Sequence, residues 1–233
     1  MRKRSTTGPI AAYRRFLAKV SRRFARAAAR HAESVSCRRG CFGCCVGLFQ
    51  VSALDAAVAA EGLAALPAPR REAIRRRGEA IVRRVGTIFP GDLQTLTLDP
   101  AREREWDAFF EKTAAIACPF LVADDDREPS TASGRAHGSR WPQGFVCSIY
   151  AHRPHACRTF GLPLADRGKI VSDPCRLNFR GSADEAVRAA ALPLYEPEEE
   201  RIARAAESCL GLPVDSATIL PAVAARLSRS TPT

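Results

Sequence analysis

Cys37, Cys41, Cys44 and Cys45 lie within nine residues, in the run Cys-Arg-Arg-Gly-Cys-Phe-Gly-Cys-Cys. Thiolates are soft ligands, so this density points to zinc or an iron–sulfur cluster, and ligand type excludes calcium and magnesium. Gly40 and Gly43 sit where a tight turn needs unusual dihedrals to aim several sulfurs at one point. Neighbouring side chains tend to diverge. Cys44 and Cys45 therefore serve two metals, or two irons of one cluster, or one of them serves the core. The triplet Cys37, Cys41 and Cys44 also has the spacing of a radical-SAM cluster. Against that reading, Gly43 precedes the third cysteine and the chain lacks the alternating strand–helix units of a (βα) barrel.

Four more cysteines follow at 118, 147, 157 and 175, each of which alone reads as a small buried hydrophobe. They occur in Cys118-Pro-Phe-Leu, Cys147-Ser-Ile-Tyr, Arg153-Pro154-x-x-Cys157-Arg158 and Cys175-Arg-Leu-Asn-Phe179. Together with the first run, these strings resemble the YkgJ-type cysteine-cluster family, a zinc- or iron-chelating domain known for its CxxCxxCC motif. Arg158–Leu164 and Cys175–Phe179 resemble one subgroup of that family. The resemblance covers about residues 10–60 and 116–180. Here the first gap holds three residues, and the stretch between Leu121 and Cys147 is long.

Carried over position by position, the resemblance implies Cys37, Cys41, Cys44, Cys45, Cys118, Cys147, Cys157 and Cys175 as metal ligands. Cys209 has no counterpart and reads as a structural thiol. Eight thiolates permit two four-cysteine zinc sites, one four-iron cluster with spare thiols, or a cluster plus a mononuclear site. Spacing does not choose among them. Arg153 and Arg158 could offset thiolate charge and donate to sulfur, and Pro154 would fix the local turn. His152 and His155 flank Cys157 and could ligate, although a hydrogen-bonded or exposed histidine is the commoner case. Tyr150 reads as core, and Asp124, Asp125 and Asp126 as a solvated run.

These cysteines need elements to hold them. Ile10, Tyr13, Phe16, Leu17, Val20, Phe24, Ala27, Ala28 and His31 recur at helical spacing with arginines opposite. Ser52 with Asp55 reads as the start of a second helix, which ends near Leu66-Pro67. A third helix runs from about 69 to 85 with Ile74, Ile81, Val82 and Val85 inward, and a fourth from about 103 to 117 with Trp106, Phe109 and Phe110. The expected fold is mainly α, a small irregular helical domain organised around a cysteine core, with little or no sheet. Residues 1–36 would be a basic tail and amphipathic helix, 37–180 the cysteine-cluster domain with a mobile insertion at 124–145, and 181–233 a helical extension.

The 233 residues suit one domain with helical extensions. Residues 1–40 carry 12 Lys and Arg against one acid, Glu33, while the remainder is balanced at 24 of each. The basic character thus belongs to the N-terminal segment and not to a nucleic-acid-binding surface spread over the whole fold. No stretch approaches the 18 apolar residues of a membrane span. Arg14, Arg15 and Lys19 interrupt any secretory leader, and closely spaced reduced thiols suit the cytoplasm.

The leading expectation is a cytoplasmic cysteine-cluster protein holding zinc or an iron–sulfur cluster. A flagellin lysine N-methylase resembles this family in its cysteine domain, which implies protein modification as a second reading. No glycine-rich loop for S-adenosylmethionine follows a strand here. A third reading is a zinc-stabilised module that meets a protein partner, or RNA through the basic helix 10–32.

Overall fold

Apolar side chains at every third or fourth position force residues 7–30 into a helix with one dry face. The computed structural model describes residues 7–38, 40–123, 144–194, 196–210 and 217–226. In chain order these form α1 (Thr7–Arg30), β1 (Gln50–Ser52), α2 (Ala53–Ala64), α3 (Ala68–Val85), β2 (Gly91–Asp92), β3 (Thr97–Leu98), α4 (Glu103–Lys112), β4 (Leu121–Ala123) and β5 (Phe145–Cys147). They continue as α5 (His155–Thr159), β6 (Leu164–Asp166), β7 (Lys169–Ser172), α6 (Asp184–Ala189), β8 (Leu192–Pro193), α7 (Pro197–Leu210), β9 (Ala217–Ile219) and α8 (Leu220–Arg226). The chain divides into two compact units, each assembled from separated segments.

Unit 1 comprises Met1–Cys37, Gln50–Gly62 and His152–Thr218. Its core is the apolar stripe of α1: Tyr13, Phe16, Leu17 and Val20 are buried with Leu54 and Val58 of α2 and Ala206 of α7. Each such side chain contributes about 1.5–3 kcal/mol when fully withdrawn from water. A second cluster joins Leu162, Phe179, Ala190 and Leu192, with Phe24, Ala27 and Val35 packed against it. Strands β7, β6 and β8 form a three-stranded sheet in which β6 runs antiparallel to β7 and parallel to β8.

Unit 2 comprises Arg38–Phe49, Leu63–Ala151 and Ile219–Thr233. Helix α3 packs on α8 so closely that a Cβ added at Gly78 would stand 2.7 Å from the Ala224 Cβ. Helix α4 stops at Thr113, several residues before the expected end near 117. There the Thr113 hydroxyl donates back to the Phe109 carbonyl at 2.9 Å, in competition with a further turn. Strands β2 and β3 form a hairpin, and β4 pairs antiparallel with β5 across residues 124–143. The expected insertion lies outside the described residues except for Gly144 and Phe145, of which Phe145 opens β5.

The expectation of little or no sheet is overturned. Strand makes up 14% against 54% helix, in three small sheets of four, two and three strands, so the fold is mixed α/β. The strands run two to four residues. Apolar alternation registers over about four to eight residues, and every strand but β7 is shorter than that, so they leave no readable pattern in the sequence.

Candidate metal centre

In unit 2 the sequence after Gly40 turns back on itself. Gly40 takes a φ of 88°, as its place in the turn requires, whereas Gly43 instead opens a 3-10 turn that carries Cys44 and Cys45. The Cys41 amide donates to the Arg38 carbonyl at 3.0 Å, closing the preceding bend. After the turn, Val46 makes a bridge with Ala117, and the Cys118 amide donates to the Cys45 carbonyl at 2.7 Å. Gly47, at a φ of 103°, lets that crossing happen, since its α-carbon faces the Ala114 backbone. The chain then turns from Cys118 to Leu121, and Leu121 pairs with Cys147 in the β4–β5 ladder.

This backbone gathers four thiols from three segments. Cys44 and Cys45 share a hydrogen bond, and Cys45 feels the charges of Cys118 and Cys147 as well. The bond to Cys44, then burial, pushes the Cys45 thiol far above its ordinary range. Burial pushes Cys118 up to about 12, helped by Cys147 and Cys44 and opposed by a bond from the Phe120 amide and by the cation of Arg77. Four thiolates here would repel one another strongly, a repulsion that a divalent cation or iron cluster relieves. Adjacent Cys44 and Cys45, expected to diverge, are held together by the 3-10 turn.

In unit 1 one buried amide links the chain segments that carry the other thiols. Asn178 accepts from the Ser36 amide at 2.8 Å and donates to the Gly161 carbonyl at 2.6 Å and to Cys37 Sγ at 3.3 Å. Its own amide donates to the Cys175 carbonyl at 2.7 Å. Gly161 closes the turn after α5, the helix that carries Cys157. One residue thus ties the segments bearing Cys37, Cys157 and Cys175. The described cysteines are thiols, not disulfides. Among the described residues, no three His, Cys, Asp or Glu side chains are already drawn into the geometry that grips an ion.

The neighbours of Cys157 take roles of their own. Arg158 donates to the Arg153 carbonyl at 2.8 Å and to the Ser21 hydroxyl at 2.7 Å, within electrostatic reach of Cys157. His155 leads into a buried polar network instead of pointing to a thiol. Its ring pairs with Glu199 at 3.2 Å and lies edge-on to Phe16, while its backbone amide donates to Asp55 at 2.8 Å. The Tyr13 hydroxyl donates to Asp55 at 2.9 Å and lies 3.2 Å from Glu199. Burial opposes the charge on His155, yet Glu199 holds its pKa above the ordinary value. Tyr150, expected in the core, is exposed. Asp124–Asp126 and the Cys209 side chain fall outside the described residues.

Sequence reasoning missed Asn178 and the Tyr13–Asp55–His155–Glu199 network. Asn178 lies three residues after Cys175, and an amide that close to a cysteine is a detectable signal. The network was not readable, because its members lie 42 to 186 residues apart. Comparison with protein-family models, with curated proteins and with solved structures finds no match for this chain.

Proposed function

We propose that this protein binds a thiolate-held metal, zinc or an iron–sulfur cluster, through Cys44, Cys45, Cys118 and Cys147 of unit 2, with Cys41 three residues earlier in the same segment as a further candidate. The observation that carries the reading is backbone geometry that brings the four cysteines together from three chain segments: the Cys118 amide donates to the Cys45 carbonyl, and Cys147 pairs with Leu121 just after Cys118. Cys37, Cys157 and Cys175 belong to unit 1, and we propose them as a second thiol group, Asn178 touching the Cys37 sulfur and the Cys175 backbone. The resemblance to the YkgJ-type cysteine-cluster family supports the same chemistry. Zinc in a closed four-thiolate site would fold the loops around it, and an iron–sulfur cluster would add electron transfer. Such thiols suit the reducing cytoplasm, and no described helix is long and apolar enough to cross a membrane. For a partner we propose RNA, met by the basic face of α1.

The test is anaerobic purification with iron, zinc and acid-labile sulfide analysis on one sample. Iron with sulfide and broad visible absorption identifies a cluster, and colourless protein with stoichiometric zinc identifies a closed site. Cys45→Ser and Cys118→Ser each remove the metal share held by unit 2, whereas Cys209→Ser retains all of it. Metal-free protein whose melting temperature ignores added zinc and iron would overturn the reading.

A further inference from the structure

The basic residues of α1 divide into two sets. Lys19 pairs with Glu196 and Glu198, Arg23 with Glu196, and Arg14 with Glu61, so these cations are spent inside unit 1. Arg15, Arg22, Arg26 and Arg30 are exposed and have no ion-pair partner among the described residues. Their spacing of seven, four and four residues puts them within an arc of about 80° along about 22 Å of helix. That arc lies opposite Tyr13, Phe16, Leu17 and Val20, which are buried. A row of cations held on a helix whose other face is fixed in a core is a rigid electrostatic template.

Resting on the RNA reading above, we infer that Arg15, Arg22, Arg26 and Arg30 form one row that grips the phosphates of duplex RNA without reading base sequence. Guanidinium groups match phosphate oxygens bidentately. The exposed residues between them are Ala18, Ala25 and Ala29, which let the helix approach closely. Alanine reads no polar base edge, and no exposed aromatic is present on α1 to stack on an unpaired base. Duplex RNA is recognised chiefly through its shape, phosphates and 2′-hydroxyls, which is what such a row can address. An anionic membrane fits less well, because a helix lying in a bilayer surface buries its apolar face there. On α1 that face is already occupied.

The experiment titrates the full-length, metal-replete protein into labelled 20-base-pair RNA of two unrelated sequences over a range of salt. Equal affinity for both is expected, with log K falling by roughly 3–4 per decade of salt for about four phosphates neutralised. Changing all four arginines to Gln weakens binding at least tenfold and flattens the salt slope. Changing Arg83, Arg84, Arg104 and Lys112 to Gln removes the same charge from unit 2 and leaves binding within about twofold. Circular dichroism and metal content confirm that both variants fold. Absence of RNA binding by the unaltered protein overturns the RNA reading itself. Binding that survives loss of the row overturns only its assignment to these arginines. Equal or tighter binding to duplex DNA, or to phosphatidylglycerol vesicles, overturns the choice of ligand.

Discussion

The side-chain amide of Asn178 stands 3.3 Å from Cys37 Sγ and donates to it. The orientation of that amide follows from its surroundings: the Ser36 N–H needs an acceptor, which leaves Nδ2 to face the sulfur and the Gly161 carbonyl. Asn178 is buried, so each of these bonds replaces water that cannot reach it. A donor aimed at sulfur favours the thiolate and fixes its direction, the service that groups behind metal ligands commonly perform.

Asn178→Asp keeps the size and the acceptor for Ser36 but sets a carboxylate oxygen against the Gly161 carbonyl and Cys37. The loss is at least about 1–3 kcal/mol, the penalty for a buried polar group facing the wrong partner. A lower melting temperature and loss of metal from the unit 1 thiols are expected, with the Cys44, Cys45, Cys118 and Cys147 group retaining its share. Thermal melts and metal analysis on one preparation check both. An unchanged melt would show that the amide holds nothing in place.

Gly161 is constrained by the same sulfur. A Cβ there would lie 2.3 Å from Cys37 Sγ, 3.1 Å from Phe24 Cζ and 3.2 Å from Asn178 Nδ2. Gly161→Ala forces the thiol to rotate away and costs about 1–3 kcal/mol in overpacking. Cys37→Ala removes the obstruction, so the two substitutions together should be less damaging than their sum. A double-mutant cycle by denaturant unfolding measures that coupling, and strict additivity would place the clash elsewhere.

Gly78 makes the same argument without any chemistry attached. Mid-helix Gly→Ala ordinarily stabilises by about 1 kcal/mol. Here the new Cβ would meet the Ala224 Cβ at 2.7 Å and the Pro221 carbonyl at 2.8 Å, and a backbone atom does not step aside. Steric cost therefore exceeds the gain in helix propensity. Gly78→Ala should lower the melting temperature by about 2–8 °C for a net loss near 1–2 kcal/mol. A rise would show that α8 can move off α3.

The long helices were legible where a buried stripe repeats every three to four residues: in α1, Tyr13, Phe16, Leu17 and Val20 are both the pattern and the core. The strands were not, because segments like Leu121–Ala123 and Phe145–Cys147 are defined by each other across a long gap. Their pairing is a tertiary fact. Likewise the candidate thiols could be named from spacing and flanking residues, but not their grouping. Cys37 and Cys41, four residues apart, belong to different units, while Cys45 and Cys118 share a backbone hydrogen bond across 73 positions. Asp55 read as a helix-start residue, and its amide does donate to the capping Ser52 hydroxyl at 3.1 Å. Its carboxylate is engaged elsewhere, with partners on α1 and α5.

That carboxylate gives a pH dependence whose sign is fixed by burial. Desolvation raises the Asp55 pKa above its ordinary value, and the bonds from the His155 amide and the Tyr13 hydroxyl only partly offset it. Glu199 adds to the rise, whereas the charge of His155 opposes it. A group with a raised folded pKa stabilises fully below its unfolded pKa, about 4 for Asp, and loses that contribution as pH climbs through the folded value. His155, also raised, loses its contribution in the same direction above about 6.5. Asp55→Asn keeps a carbonyl oxygen to accept from Tyr13 and His155 but cannot ionise, and it also withdraws one of the charges that holds up His155. The melting temperature of the variant relative to the unaltered protein should therefore increase from pH 4 to pH 8. Any metal contribution enters both proteins and cancels in that difference. Melts at five pH values decide the matter: a gap that stays constant would mean that Asp55 ionises in the folded protein as easily as in the unfolded chain.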